Sequence, residues 1–90
     1  MDKITCFFSL TNFKKNLIII EKDGQVIQES CFNNELLNKI KTKVNEYKIS
    51  NINFVCNETE SQALDLLNKY KTMLQKNSEF STLNISISKR

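Results

Sequence analysis

Histidine, tryptophan and proline are absent from this 90-residue chain, and glycine, alanine and arginine occur once each, as Gly24, Ala63 and Arg90. Without histidine, the commonest acid–base group near neutral pH and the commonest metal ligand are both missing. One glycine cannot build a glycine-rich phosphate loop, which needs several backbone positions free of a Cβ. Cys6, Cys31 and Cys56 form no C-x-x-C pair, and each lies in an apolar stretch. Buried free thiols in a reducing compartment are therefore expected. No apolar run approaches a membrane span; the longest purely aliphatic one, Leu17–Ile20, has the length of a strand. Met1-Asp2-Lys3 leads straight into strand-like sequence, so neither a secretory signal nor a transit peptide is expected. Together these absences argue against an enzyme, and no cofactor or small-molecule substrate is expected.

Lysine (12), asparagine (12) and isoleucine (10) are abundant instead. Their codons are A/T-rich, whereas those of the scarce residues are G/C-rich, which points to an A/T-biased genome. The net charge of +3 leans mildly towards acidic partners.

Ile4, Cys6, Phe8 and Leu10 alternate with Thr5, Phe7, Ser9 and Thr11, the period of a strand. Phe13–Asn16 breaks the alternation and is expected to turn. Leu17–Lys22, rich in β-branched residues, reads as a strand buried on both faces. Asp23-Gly24 is a two-residue hairpin signal, and Gln25–Cys31 returns as a third strand. The period then changes. Leu36, Leu37, Ile40, Val44 and Tyr47 fall on one helical face, with Asn33 or Asn34 as N-cap and Glu35–Lys39 as an i, i+4 pair. The helix lysines are assigned to a solvated surface. Ile52–Cys56 is a fourth strand. Thr59 and Gln62 have capping-box spacing before a second helix whose apolar face is Ala63, Leu64, Leu67, Tyr70 and Leu74. Leu83, Ile85 and Ile87 alternate with polar residues in a last strand. Phe7, Phe8 and Phe54 are assigned to the core by their strand positions.

The order is βββαβαβ across residues 1–90, read as a single domain of the α/β class: a mixed five-stranded sheet with two helices. That is the ribonuclease-H-like layout, with the first strand central and the fourth beside it. Enzymes of this layout place a carboxylate on the first strand to hold a divalent metal, and Ile4–Thr11 contains none.

Four stretches also resemble the universal S-eleven family of small-subunit ribosomal proteins. Thr11-Asn12-Phe13-Lys14-Lys15-Asn16-Leu17-Ile18-Ile19-Ile20, ending at Asp23-Gly24, is similar to the family's A-T-F-N-N-T-I-V-T-I strand–turn–strand and D-x-x-G hairpin. Glu46–Val55 resembles E-Y-G-V-K-N-L-E-V-x, Glu60–Leu67 resembles R-E-S-A-V-R-A-L, and Leu83–Ile87 resembles I-V-N-I-T. The four occur in the family's order over nearly the whole chain. The family's glycine-rich basic segment before the first helix is shortened here to Cys31–Asn34, and its G-P-G-x-G-R loop to Asn57–Thr59. The stretch before the last strand is longer than usual, and the family's basic tail is missing after Lys89-Arg90.

The resemblance implies a structural rRNA-binding protein of the small-subunit platform, supporting translation, with small-subunit rRNA and neighbouring ribosomal proteins as partners. Codon bias and shortened segments point to a mitochondrial ribosome; a plastid or a bacterial cytoplasm stays open. By the match to F-N-N-T, the turn Phe13, Lys14, Lys15 and Asn16 is the first RNA-contact candidate, against a merely solvated turn. Thr59 and Ser61 open the second helix, where free N–H groups favour a phosphate, or where they simply cap. Lys89 and Arg90 either reach RNA or fray. The competing reading is a small non-catalytic ribonuclease-H-like interaction module, such as a phage inhibitor of a host protein. Lysines converging on one side favour RNA; an exposed apolar or acidic patch favours a protein partner.

Overall fold

Residues 2–11 and 14–90 are described by the computed structural model. Strand β1 (Lys3–Phe7) buries Ile4 and Cys6, and Phe8 extends it by one bond, its N–H donating to the Val55 carbonyl at 2.8 Å. The alternation through Thr11 does not continue as strand. Beyond Phe8 the Ser9 N–H bonds the side chain of Asn16 rather than a ladder carbonyl, and the chain leaves the sheet.

Strands β2 (Asn16–Lys22) and β3 (Gln25–Cys31) form the expected hairpin. Asp23 at φ 51° and Gly24 at φ 80° supply the two left-handed positions that a tight two-residue turn requires. Asp2 clamps this turn from the N-terminal side: its carboxylate accepts the Asp23 N–H at 3.1 Å and the Lys22 ammonium at 3.0 Å. The backbone bond from Asp23, with the Lys22 ammonium beside it, holds the Asp2 carboxyl below its ordinary pKa.

Helix α1 (Leu36–Tyr47) buries Leu36, Ile40 and Val44 at helical spacing. Removing three such side chains from water contributes about 5–9 kcal/mol as an upper bound. Neither Asn33 nor Asn34 caps it. A 3-10 turn (Asn33–Glu35) intervenes, the cap position is Glu35 without a side-chain bond, and the Asn33 carboxamide is engaged elsewhere. Strand β4 (Asn51–Cys56) and helix α2 (Ser61–Lys76) follow. The capping box at α2 does not form: both the N–H and the hydroxyl of Thr59 bond Asn57 Oδ1, at 3.0 and 2.9 Å, and Glu60 takes the cap position. This is an Asx turn, a local alternative that competes with capping. Helix α2 buries Ala63, Leu67 and Leu74, as its spacing implies; a 3-10 turn (Ser78–Phe80) then leads to strand β5 (Asn84–Lys89).

The sheet order is β3-β2-β1-β4-β5, with β2 antiparallel to both neighbours and β1, β4 and β5 parallel. This is the ribonuclease-H-like arrangement, β1 central and β4 beside it. The crossovers β3–α1–β4 and β4–α2–β5 both run in the same direction across the sheet. Right-handed crossovers therefore lay both helices on one face. Burial follows suit. Ile4, Cys6, Ile18, Ile20, Ile52, Phe54, Cys56 and Ile85 are buried in one core with both helices. The reading of β2 as buried on both faces is corrected by this: Leu17 is 38% exposed and Ile19 is half-buried. The three cysteines are free and buried, as expected. Burial pushes the Cys6 thiol up to about 12, so it stays protonated at neutral pH.

Lys48 closes α1 in the left-handed region (φ 55°, ψ 49°), its N–H donating to the Val44 carbonyl. Lysine is strained there and glycine is not. Lys48→Gly is expected to raise stability by about 0.5–1 kcal/mol in urea unfolding.

Candidate nucleic-acid interface

Since the helices take one face of the sheet, the other is bare, and the strand register shows what lies on it. Reading from β3 to β5, one row is Ser30, Leu17, Phe7, Val55 and Ser88; the next is Gln28, Ile19, Thr5, Asn53 and Ser86; the third is Val26, Glu21, Lys3, Asn51 and Asn84. Its centre is apolar and aromatic, and its β4–β5 side is made of amides and hydroxyls. Glu21 is the one acid among these positions, and it lies 3.9 Å from the Lys3 ammonium.

At one corner three cations gather. A shallow groove is lined by Phe7, Ser9, Lys14, Lys15, Leu17, Ile19 and Arg90. Arg90 is held by two backbone bonds, its N–H donating to the Cys56 carbonyl and its carbonyl accepting from the Glu58 N–H, both at 3.0 Å. So anchored, its guanidinium reaches across β4 to lie 5.3 Å from the centre of the Phe7 ring. Lys15 lies over the Phe32 ring, also at 5.3 Å. Among the described residues, the ion pairs engage Lys3, Lys22, Lys39 and Lys43, and none engages Lys14, Lys15 or Arg90.

The lysines of α1 behave differently. Lys39 and Lys43 close on Glu29 of β3, Lys39 at 3.2 Å, and Lys43 also meets Glu46 at 3.1 Å. The expected Glu35–Lys39 pair is replaced by this one, because β3 brings Glu29 up to the helix. The Lys43 side chain is only 13% exposed, so it is not part of a freely solvated face. Bonding to Lys43 holds the Glu29 carboxyl below its ordinary pKa.

Of the eight sequence candidates, Lys14, Lys15 and Arg90 are brought together on the open face. Phe13 lies outside the described residues. Asn16 is corrected: it is fully buried. Its Oδ1 accepts the Ser9 N–H at 2.8 Å and its Nδ2 donates to Asn33 Oδ1 at 2.6 Å, so it staples the end of β1 and the turn before α1 to the start of β2. It sets the position of the basic corner without being able to touch a ligand. Ser61 and Lys89 lie on the helix side, in a hollow that also contains Glu58 and Glu60. Glu60 accepts the Leu10 N–H at 3.4 Å. Two carboxylates at the start of α2 oppose a phosphate there, and Thr59 is engaged with Asn57.

Phe7 was missed by the assignment of all three phenylalanines to the core. Phe8 and Phe54 are buried, whereas Phe7 is half-buried on the open face. The signal was present, since Phe7 is out of phase with Ile4, Cys6 and Phe8.

Among the described residues, no cluster of Cys, Asp and Glu is placed to hold a metal ion, and no helix is long and apolar enough to cross a membrane. The chain matches no family model, and no curated protein matches it.

Two outcomes check this geometry. Asn16→Ala removes the acceptor of the half-buried Ser9 N–H and the donor to Asn33 from a buried position, and should cost about 1–3 kcal/mol in urea unfolding. Glu29→Gln should cost up to about 1 kcal/mol at pH 7. Since the folded pKa of Glu29 is lowered, its contribution is present above the ordinary carboxylate range and lost as pH falls through the folded value. The stability difference between Glu29→Gln and the unsubstituted chain should therefore shrink on acidification below about pH 4.

Proposed function

We propose that this chain is a non-catalytic RNA-binding protein of a small ribosomal subunit, a structural member of a mitochondrial ribosome that supports translation. The observation that carries the reading is the gathering of Lys14, Lys15 and Arg90, free of carboxylate partners among the described residues, around one corner of a bare sheet face. Elsewhere Lys3, Lys22, Lys39 and Lys43 are matched with acids, Lys39 and Lys43 both with Glu29. A surface that leaves three cations unneutralised beside an aromatic ring suits a polyanion. The work done is charge neutralisation: ammonium and guanidinium groups displace counterions from phosphates, and backbone and amide groups set the register. The similarity of the Lys14–Lys15 turn and its flanking strands to the S-eleven family supports small-subunit rRNA as the partner, with adjacent ribosomal proteins.

One observation favours the protein-interaction reading. The bare face carries exposed Leu17 and Val26, the latter 63% exposed, beside Phe7 and Val55.

Sedimentation of a native lysate separates the two. The RNA reading expects the chain to travel with small subunits, and Lys14→Glu with Lys15→Glu to reduce incorporation while leaving the urea midpoint unchanged. Presence only at the top of the gradient sinks the ribosomal assignment. For the purified chain on RNA, neutralising both lysines as glutamine should flatten the slope of log K against log salt by about 1.4–1.8.

A further inference from the structure

We propose that the bare face is a reading surface for an unpaired RNA strand, with a base stacked on Phe7 in the place the Arg90 guanidinium occupies in the free chain. The proposal rests on the RNA-binding reading and specifies the form of RNA. A duplex meets a protein through phosphates and groove edges and keeps its base faces stacked inside, so an outward-facing phenylalanine finds none to stack on. An unpaired strand exposes base faces, which stack on aromatic rings set in a sheet.

Three features of the face fit that ligand. First, the outer side of the Phe7 ring carries a surface cation, the Arg90 guanidinium at 5.3 Å. A guanidinium that moves from ring to phosphate, or sandwiches the base against the ring, keeps its favourable contact in either position. Secondly, the polar half of the face is already organised. Asn53 Oδ1 accepts both the Ser86 and the Ser88 hydroxyls at 3.0 Å, and Asn51 Oδ1 accepts the Asn84 amide at 3.2 Å. The Asn53 amide nitrogen, without an acceptor among the described residues, is thereby oriented as a donor beside hydroxyl oxygens that can accept. Base edges and ribose hydroxyls need that mixture. Thirdly, Lys14, Lys15 and Arg90, without carboxylate partners among the described residues, line the groove beside Phe7 and Leu17, and the one acid of the three rows is paired with Lys3. Five strands span about 19 Å at 4.8 Å each, enough for about two or three nucleotides. Negative charge, flat aromatic faces and hydrogen-bonding edges are combined in an unpaired strand; an apolar or acidic protein surface would leave the Asn53–Ser86–Ser88 cluster or the apolar row unmatched.

Fluorescence anisotropy tests this, using a labelled RNA strand of about ten nucleotides and the same strand annealed to its complement, at one low salt concentration. The strand should bind at least about tenfold more tightly than the duplex. Phe7→Leu, which keeps an apolar side chain in the row, should lose about tenfold on the strand and little on the duplex. The comparison of strand with duplex needs no variant, so it stands even where Phe7→Leu unfolds. Equal affinity for the two forms overturns the stacking surface and leaves RNA binding in place. No affinity for either form, with a dimer or a captured protein lost in Leu17→Lys, gives the face to protein contact and overturns both readings.

Discussion

The two crossover connections run in the same direction across the sheet, and the rest of the molecule follows from that. A right-handed crossover packs its helix on a face set by its direction of travel. With the order β3-β2-β1-β4-β5, both connections travel from the β3 side towards β5, so both helices share a face. The sheet is covered once. Ile4, Cys6, Ile18, Ile20, Ile52, Phe54 and Cys56 take the covered side and form the core. Their neighbours one residue away, Thr5, Phe7, Leu17, Ile19, Asn53 and Val55, are left to face solvent or a partner. A mixed sheet with a single layer of helices leaves its other side to water or to a partner.

The basic corner depends on a second, smaller constraint. Asn16 occupies a core position and could not remain there unsatisfied, since a buried amide without partners costs several kcal/mol. Its two bonds, to Ser9 and Asn33, end β1, begin β2 and hold the turn before α1. Lys14 and Lys15 precede this fixed point, and neither is paired with a carboxylate among the described residues. Arg90 is anchored from the other side by its bonds to Cys56 and Glu58. Two segments far apart in the chain thus deliver charge to one groove. Lys39 and Lys43 of α1, with Glu29 and Glu46 close by, contribute to the domain's cohesion instead.

Much of this was legible in the order of residues. Period-2 alternation, the Asp23-Gly24 turn and the helical spacing of Leu36, Ile40, Val44, Ala63, Leu67 and Leu74 depend on local geometry alone, and so they specify element type, element order and core faces. Local signals failed where another group competed. The Asn33 cap was lost to Asn16, the Thr59 cap to Asn57, and the Glu35–Lys39 pair to Glu29. In each case the side chain named was a sound donor or acceptor, and the nearer or better-placed partner could not be ranked from spacing.

By itself, then, the sequence determined a three-strand meander followed by two helix–strand units, buried thiols, and two adjacent lysines just before the second strand. Tertiary structure decided which cations are free, that Asn16 is a staple rather than a contact, and that Phe7 faces outward. The physical reason is that charge pairing and burial are properties of what comes to lie opposite a residue. That is set by strand order and by the hand of the crossovers, across separations of up to 83 positions between Phe7 and Arg90.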